Sequence, residues 1–426
     1  MIHQLISQIL RTSIEVILSR FERNWKNYPF IDTKFHIVSG RDYDDSDEPF
    51  RRKDCIYAWI QGRGLESLAK HAMYFKKIGD HTLAERLTDM LSVVTEKIEL
   101  LRTVNQGRLP FAMHPDGSPF FEKESYHANF SDLFYSKGLF AASRILDRSD
   151  LEMEAEKLFL FVLEEIEQGL FHTDQQCFDP KNKVSYMPGK FPQGPRMIAL
   201  GGIADWIAAK PNEKRWEDSA ENFIRFIFDH HINRGQYQFC QLWDFIESVD
   251  SDAQPWYDGN LLFSDPGHAL EFVGLAGKCL LVLKKLGLKN ELIKDAEKIL
   301  PQVFIQVFDY GFNLNAGGIC KGFDLRVRKP VNSDLPWWSL PETVRAGVEM
   351  AKLFPSNDTG EILFRTGQAF QAFVQGFLQP NGFGCQTRND AGKMIDVIPA
   401  VSDADPGYHT NLSLLDVLIQ KTSLFL

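Results

Sequence analysis

A histidine and a glutamate stand three residues apart in the segment PGHALE, residues 266–271, where a helix is predicted to begin. Residues three apart lie on one face of a helix, so His268 and Glu271 can act as one acid/base unit. A second histidine, His409, follows the similar segment DPGY, residues 405–408, at the start of the last predicted helix. Because the pKa of histidine lies near neutral pH, two such imidazoles facing one cleft could take up a proton and return it.

Other side chains suited to binding stand near the starts of further predicted helices. The segment WWSLPE, residues 337–342, offers two tryptophans for stacking on a sugar ring, and Glu342 as a partner for an imidazole. The segment WIQGR, residues 59–63, supplies a guanidinium that can bind a hydroxyl or carbonyl oxygen. Packing in the core for the tryptophans and a structural ion pair for the arginine are the alternatives. The candidate substrate-binding residues are Trp59, Gln61, Arg63, Trp337 and Trp338.

The apolar periodicity predicts twelve helices that must position these residues. Odd-numbered helices carry dense charge and are expected to lie outside, half-solvated. Even-numbered helices are poorer in charge and richer in Gly and Ala, which favours close packing in an inner ring. The predicted bounds are 2–27, 54–78, 80–104, 127–146, 150–169, 195–210, 213–232, 267–286, 289–308, 338–354, 358–377 and 406–424.

The inner helices recur at a nearly constant spacing. Landmarks near their starts are separated by 68, 66, 71, 74 and 67 residues. Such a period indicates six copies of one helical hairpin, and thus an all-α (α/α)6 barrel that forms a single catalytic domain over 1–426. The site is expected at the N-terminal end of the inner helices, where unpaired N–H groups can stabilise an oxyanion. The landmarks are Arg63, Ser131, Met197, His268, Glu342 and His409.

Composition excludes several classes of protein. The net charge of −10 and the absence of a basic run argue against a nucleic-acid partner. No stretch is apolar for long enough to span a bilayer, and the N-terminal segment 1–21 has the pattern of an amphipathic packing helix rather than a signal peptide. The six scattered cysteines lack zinc-site spacing and are expected to be free thiols in a reducing compartment, the cytoplasm. No phosphate-binding glycine loop is present.

The order of these motifs resembles the N-acylglucosamine 2-epimerase superfamily, which also contains cellobiose 2-epimerases and aldose–ketose isomerases. The resemblance runs along almost the whole chain and implies the (α/α)6 barrel. It also implies a reaction without metal or cofactor at carbon 2 of a free (N-acyl)hexosamine or related aldose. The matching segments are WIQGR at 59–63, FSDLFY at 130–135, GPRMIAL at 194–200, DPGHALE at 265–271, WWSLPE at 337–342 and GYH at 407–409.

The resemblance further implies a role for each site residue. His268 and His409 would be the acid/base groups on opposite faces of carbon 2, joined through an enolate intermediate. Glu271 and Glu342 would orient the imidazoles, and Arg63 would bind the oxygen that becomes the enolate. Members of the family are often dimers, so a homodimer is one hypothesis for the assembly.

The chain departs from the family pattern at positions that bear on the substrate. Leu412 stands where many members have an arginine, and Ser339 and Leu340 follow the paired tryptophans in place of the usual residues. Segment 273–275, Val-Gly-Leu, replaces aromatic residues. These changes are expected to remove polar substrate contacts, which leaves the identity of the sugar open.

Three alternatives remain at this stage. An aldose–ketose isomerase would use the same residues and return the proton to carbon 1. A glycoside hydrolase of the same fold would use two carboxylates of the loop before the eighth helix, with tryptophans as sugar platforms. A scaffold without catalytic activity would bind sugar or protein only. The loop residues of the hydrolase hypothesis are Asp244, Glu247, Asp250, Asp252, Trp243 and Trp256.

Overall fold

The computed structural model describes residues 2–121, 127–175, 186–356, 358–398 and 401–420. Within these ranges the chain forms twelve α-helices in the predicted order. They are α1 (Ile2–Asn24), α2 (Ala58–Lys77), α3 (His81–Val104), α4 (Phe130–Leu146), α5 (Ser149–Glu167), α6 (Gly194–Ala209), α7 (Lys214–His230), α8 (Pro266–Leu286), α9 (Asn290–Gly311), α10 (Ser339–Leu353), α11 (Thr359–Ala372) and α12 (Ser413–Ile419). A 3₁₀ turn covers Pro49–Arg51, and π-helical turns cover Phe373–Phe377 and Tyr408–Leu412.

Local capping residues explain where several helices begin. The Asp80 carboxylate accepts the Leu83 N–H at 3.2 Å and caps α3. Asn129 and Asp132 exchange hydrogen bonds in a capping box at the start of α4. At α8 the proline stands at the first helical position, whose N–H would be unpaired in any case. These short-range signals are visible in the sequence, and they fix the helix ends that carry the candidate site.

Short antiparallel strands form in the loops, which the all-α prediction did not include. They make three pairs (β1–β2, β3–β4 and β6–β7) and two three-stranded sheets in the orders β5–β8–β9 and β10–β11–β12. The strands are β1 (Ile56–Tyr57), β2 (Ala112–Met113), β3 (Phe191–Pro192), β4 (Ser248–Val249), β5 (Phe263–Ser264), β6 (Phe312–Asn313), β7 (Gly318–Ile319), β8 (Gly322–Asp324), β9 (Lys329–Asn332), β10 (Leu335–Pro336), β11 (Thr387–Arg388) and β12 (Met394–Ile395).

Burial separates the helices into the two predicted kinds. The inner type is buried along its length, as α2 is from Ala58 to Ala69 and α10 from Ser339 to Ala351. The outer type buries one stripe, as α5 does between Leu151 and Ile166. Two glycines show why the inner type needs small residues. A Cβ on Gly62 would lie 2.7 Å from the Phe134 backbone, and one on Gly138 would lie 2.2 Å from the Gly62 carbonyl oxygen.

The chain divides into two compact units. The N-terminal unit comprises Met1–Ser185, Gln379–Gly384 and Ile398–Leu415. In it α2 packs on α3 and α4, and α4 packs on α5. The C-terminal unit comprises Tyr186–Leu378, Cys385–Val397 and Asp416–Leu426, and in it α8 packs between α6 and α10 with α9 against it. The assignment of one catalytic domain to the whole chain stays a prediction.

Two predictions from composition can be compared with the structure. Cys55, Cys240, Cys279, Cys320 and Cys385 are free thiols, as expected, whereas Cys177 lies outside the described residues. None of the described helices combines the length and apolar character needed to cross a bilayer.

Candidate active site

His268 lies in the first turn of α8, in the C-terminal unit. Its Nδ1 hydrogen bonds to the Glu247 carboxylate at 2.9 Å and lies 3.4 Å from the Asp265 carboxylate. A carboxylate only accepts, so Nδ1 carries the proton. Among the described residues Nε2 has no hydrogen-bond partner, and about a third of the side chain, 32%, is exposed. The ring is therefore held at one nitrogen and open at the other, as an acid/base group requires.

The partner of His268 differs from the predicted one. Glu271 was expected because it lies one turn along the same helix, but the ring turns toward the segment before α8 and bonds to Glu247 instead. The physical reason is the rotamer. A side chain in the first turn of a helix points back toward the N-terminus, so it meets the preceding loop before it meets residue i+3. From the sequence, Glu247 is predicted only as a carboxylate of the hydrolase hypothesis.

The charges around the ring favour its protonated form. Burial by itself lowers the pKa of His268, but the neighbouring carboxylates of Asp265 and Glu247 outweigh that effect and raise the pKa to about 8. Lys321 opposes them, since its ammonium bonds to Asp265 at 2.6 Å. The same His268 and Lys321 charges hold the pKa of buried Asp265 below its ordinary value despite the opposing effect of burial. His268 is thus an imidazolium near neutral pH.

Trp338 packs against this histidine. The two ring centroids are 5.3 Å apart, and the Lys321 ammonium lies 5.4 Å from the indole on which it also rests. The packing requires glycine at position 267, because a Cβ there would lie 2.8 Å from the Trp338 ring. Trp337 and Trp338 are both buried, at 6% exposure each. Little indole surface is therefore exposed for stacking on a sugar, and most of both side chains packs in the core.

Glu271 and Glu342 form a second acidic pair in the C-terminal unit. Both are buried, and one oxygen of each lies within 4.8 Å of the other. The Glu342 carboxylate also forms an ion pair with the buried Arg345 guanidinium, three residues along α10. Carboxylates at this spacing can share a proton or a cation, but Arg345 already supplies a positive charge to Glu342.

Two of the three remaining carboxylates of the hydrolase hypothesis have structural partners. Asp244 is fully buried, pairs with Arg328 at 2.6 Å and accepts a hydrogen bond from Gln306. Asp250 accepts the backbone N–H groups of residues 252 and 254, and Asp252 is exposed. Trp243 and Trp256 are half-buried in the same loop. Asp244 and Glu247 are therefore each committed to a cationic or imidazole partner, which does not favour their use as a hydrolytic pair.

In the N-terminal unit, Arg63 lies among aromatic rings. Its guanidinium carbon is 4.1 Å from the Phe134 ring centroid, 5.1 Å from that of Tyr408 and 5.2 Å from that of Trp59. The side chain is buried, at 8% exposure for the residue. Stacking on aromatic faces holds a guanidinium in place without neutralising it. A buried, oriented cation of this kind can bind an oxygen that gains negative charge.

Two neighbours of Arg63 have structural roles. The Gln61 amide accepts the Ile31 N–H at 2.9 Å and donates to the Ile31 carbonyl at 3.2 Å, and the residue is 1% exposed. The indole N–H of Trp59 donates to Asp174 at 3.1 Å, and the ring packs in an aromatic cluster. Both ends of the Gln61 amide fasten the preceding segment, so the prediction that Gln61 contacts substrate gains no support from its hydrogen bonds. Trp59 supports Arg63 rather than offering a free stacking surface.

His409 lies in the π-helical turn Tyr408–Leu412, also in the N-terminal unit, and is buried. Asp405 anchors this turn. One carboxylate oxygen accepts the Tyr408 N–H at 2.7 Å and the other accepts the Thr410 N–H at 2.9 Å. Gly407 adopts φ +87°, where a residue with a Cβ is strained. The turn thus fixes the backbone of His409.

The positions at which this chain departs from the family pattern are buried. Leu340 and Val273 are fully buried, Leu275 and Leu412 are 3% and 5% exposed, and the Ser339 hydroxyl donates to the Pro336 carbonyl at 2.9 Å. These side chains serve packing within their own units. The expectation that the changes remove polar substrate contacts therefore gains no support from their surroundings.

Asp265 and Lys321 contribute to the site but were not predicted from the sequence. The position of Asp265 three residues before His268 was a usable signal, because an aspartate there caps the helix and reaches the next turn. Lys321 lies in the loop between β7 and β8, and no sequence pattern connects it to α8.

Both the sequence and the fold resemble known proteins. The family model for N-acylglucosamine 2-epimerase (GlcNAc 2-epimerase) matches residues 85–400, about three quarters of the chain. A sequence comparison with curated proteins gives no significant match.

Among solved structures, similar folds include a sugar epimerase from a ruminal bacterium, with 13% identity, coverage of 98% of this chain and 100% of that one, and a TM-score of 0.69. A cellobiose 2-epimerase from Bacillus thermoamylovorans has 12% identity, coverage of 98% and 99%, and a TM-score of 0.70. A D-mannose isomerase has 15% identity, coverage of 96% and 97%, and a TM-score of 0.67. The predicted (α/α)6 barrel fold is confirmed. The chain belongs to the N-acylglucosamine 2-epimerase family and is an isomerase-class carbohydrate enzyme.

Proposed function

We propose that this protein is a 2-epimerase of a free (N-acyl)hexosamine or a related aldose, and that it uses His268 and His409 as its two acid/base groups. The observation that carries the proposal is the state of His268. Its Nδ1 is held by carboxylates, its Nε2 is open, and its pKa lies at about 8, close to working pH. Family membership supports the choice of carbon 2 as the reacting centre.

In the proposed reaction one histidine removes the hydrogen of carbon 2 from the ring-opened aldose as a proton. The electron pair of that bond moves toward the aldehyde and places negative charge on the oxygen of carbon 1. The Arg63 guanidinium, held by its aromatic neighbours, is the proposed donor to this oxygen. The other histidine then returns a proton to the opposite face of carbon 2, which inverts its configuration. Because both groups exchange one proton, the enzyme finishes a turnover with the two protonation states interchanged.

Glu271 and Glu342 are proposed to tune the acid/base groups, and the protein is proposed to act as one catalytic domain on a small sugar in the cytoplasm, without a cofactor. A homodimer is the proposed assembly. An aldose–ketose isomerase is the second candidate, because the same enolate gives a ketose when the proton returns to carbon 1. The likeness in fold to a D-mannose isomerase favours keeping it.

The test is proton NMR of the purified protein with free sugars in heavy water. The panel contains N-acetylglucosamine, N-acetylmannosamine, glucose, mannose, fructose and cellobiose, and the double variant His268→Ala/His409→Ala controls for contaminating activity. We expect an epimer that carries deuterium at carbon 2. A ketose product would favour the isomerase. The absence of exchange with every sugar would contradict the proposed function and favour the hydrolase or scaffold hypothesis.

A further inference from the structure

Glu247 has no evident structural purpose for its side chain. Its backbone is fixed on both sides, since its N–H donates to the Phe263 carbonyl at 3.0 Å and its carbonyl accepts the Gln193 N–H at 3.0 Å. The carboxylate, by contrast, makes one polar contact among the described residues, the hydrogen bond to His268. Its second oxygen, Oε2, is buried without a hydrogen-bond partner in the same part of the chain. Burying such an oxygen costs stability, which a purely structural residue has no reason to incur.

The three charged groups that face His268 do not act equally. Asp265 is shared, because one of its oxygens caps α8 and the other bonds to Lys321. Lys321 repels the imidazolium. Glu247 pairs with no lysine or arginine in the described ranges, so its charge acts on His268 alone. The residue is 8% exposed, which limits the screening of that interaction by water.

We propose that Glu247 is a positioning residue of this reaction, which holds the Nδ1–H of His268, directs Nε2 toward the substrate carbon and stabilises the imidazolium. The proposal rests on the proposed function for its catalytic meaning. It gives His268 a defined resting state, the proton donor. A carboxylate that orients a histidine through Nδ1 fixes both the tautomer and the ring direction.

The test compares Glu247→Gln with Asp252→Asn. The first removes the charge beside His268 and keeps the side-chain shape. The second removes the same charge from an exposed position of the same loop. Among the described residues, the Asp252 side chain has no hydrogen bond or ion pair with His268. The first readout is the titration of the His268 ring by NMR of protein labelled with carbon-13 in histidine, with the signal identified by its loss in His268→Ala. This readout needs no substrate.

Glu247→Gln is expected to lower the pH of the His268 titration by about one unit or more, which is the usual effect of removing an opposite charge at this distance. The basic limb of the kcat/KM profile should move down by the same amount in both reaction directions, because both directions draw on enzyme with the same number of bound protons. We expect kcat to fall while KM changes little, and Asp252→Asn to match the wild type.

An unchanged titration and an unchanged basic limb in folded Glu247→Gln would overturn the proposal. If that variant does not fold, Glu247→Asp replaces it, since aspartate keeps the charge but withdraws it by one methylene. For Glu247→Asp, a downward shift of the His268 titration that is smaller than the shift expected for Glu247→Gln would support the proposal. The absence of any shift would overturn it. A wild-type enzyme inactive on every sugar would contradict the proposed function, while the titration would still decide whether Glu247 controls the His268 proton.

Discussion

Each unit has one candidate histidine that follows an Asp-Pro-Gly tripeptide, directly in the case of His268 and after Tyr408 in the case of His409. The two tripeptides differ in their contacts. In the C-terminal unit Asp265 divides its carboxylate between the α8 backbone, the His268 ring and Lys321. In the N-terminal unit Asp405 gives both oxygens to backbone N–H groups of the turn that carries His409. Asp265 therefore influences the protonation of His268, whereas Asp405 stabilises the backbone conformation of the turn.

The glycines differ in the same way. Gly267 has an ordinary helical backbone, and it is small because Trp338 packs against it. Gly407 adopts φ +87°, and it also leaves room for the Ser67 hydroxyl, which would lie 2.5 Å from a Cβ. Identical sequence around a catalytic candidate thus does not imply an identical environment. The neighbours supplied by the rest of the fold decide what the motif does.

The largest expected effects come from removing each histidine. His268→Ala and His409→Ala should each lower kcat by about 10²- to 10⁴-fold, the usual contribution of a general acid or base. Folding should be retained in His268→Ala, because its side chain is partly exposed and the helix cap does not depend on it. Rates measured by NMR with the active sugar check this. Full activity in either variant would remove that histidine from the reaction.

Replacing the two aspartates should separate their roles. Asp265→Asn keeps a good helix cap but removes the charge that supports the imidazolium, so the basic limb of the kcat/KM profile should move to lower pH. Asp405→Asn replaces two anionic acceptors by one neutral amide oxygen, so it should lower the free energy of unfolding by about 1–2 kcal/mol and leave the pH profile in place. Chemical denaturation and rate profiles together measure both quantities. A shifted pH profile in Asp405→Asn together with an unshifted profile in Asp265→Asn would contradict the roles assigned to the two aspartates.

The glycine substitutions should affect activity less than removal of a histidine does. Gly407→Ala places a Cβ at positive φ, and a cost of about 1–2 kcal/mol in unfolding free energy is expected. Gly267→Ala should cost about 1–3 kcal/mol through overpacking on Trp338, and should also change kcat because Trp338 supports His268. Denaturation and kinetics of the two variants provide the check. Gly367→Ala in α11 is the control for the added methyl group, because a Cβ there meets no atom within 4 Å. An effect of Gly407→Ala on kcat larger than that of Gly267→Ala would contradict this assignment.

Much of the fold was readable from the sequence because the signals are local and repeated. Periodicity gave twelve helices, and the even-numbered ones are buried as their small residues indicated. The short strands in the loops were missed, since two-residue strands carry no periodic pattern. The site was readable in part. The helix start at His268 and its aspartate cap follow from Asp-Pro-Gly, but the contact with Glu247 depends on how the loop before α8 folds back.

The differences between the expected and observed contacts of Gln61 and Glu271 have one physical origin, the direction of side chains. Gln61 stands in a motif that resembles a substrate-binding segment, but its amide points to the Ile31 backbone. Glu271 stands at helical spacing from His268, but the ring points the other way. Residue type and spacing predict which groups are near one another along a helix, and they do not predict which rotamer the surrounding packing selects.

The most direct test of the two-histidine proposal is hydrogen exchange at carbon 2 in single variants, with each pure epimer incubated in heavy water. We predict that a variant with one histidine exchanges the hydrogen of one epimer without inverting it and leaves the other epimer unlabelled. His268→Asn and His409→Asn should show this behaviour with opposite epimers. Equal exchange of both epimers in either variant would contradict the proposal that each histidine serves one face of the carbon.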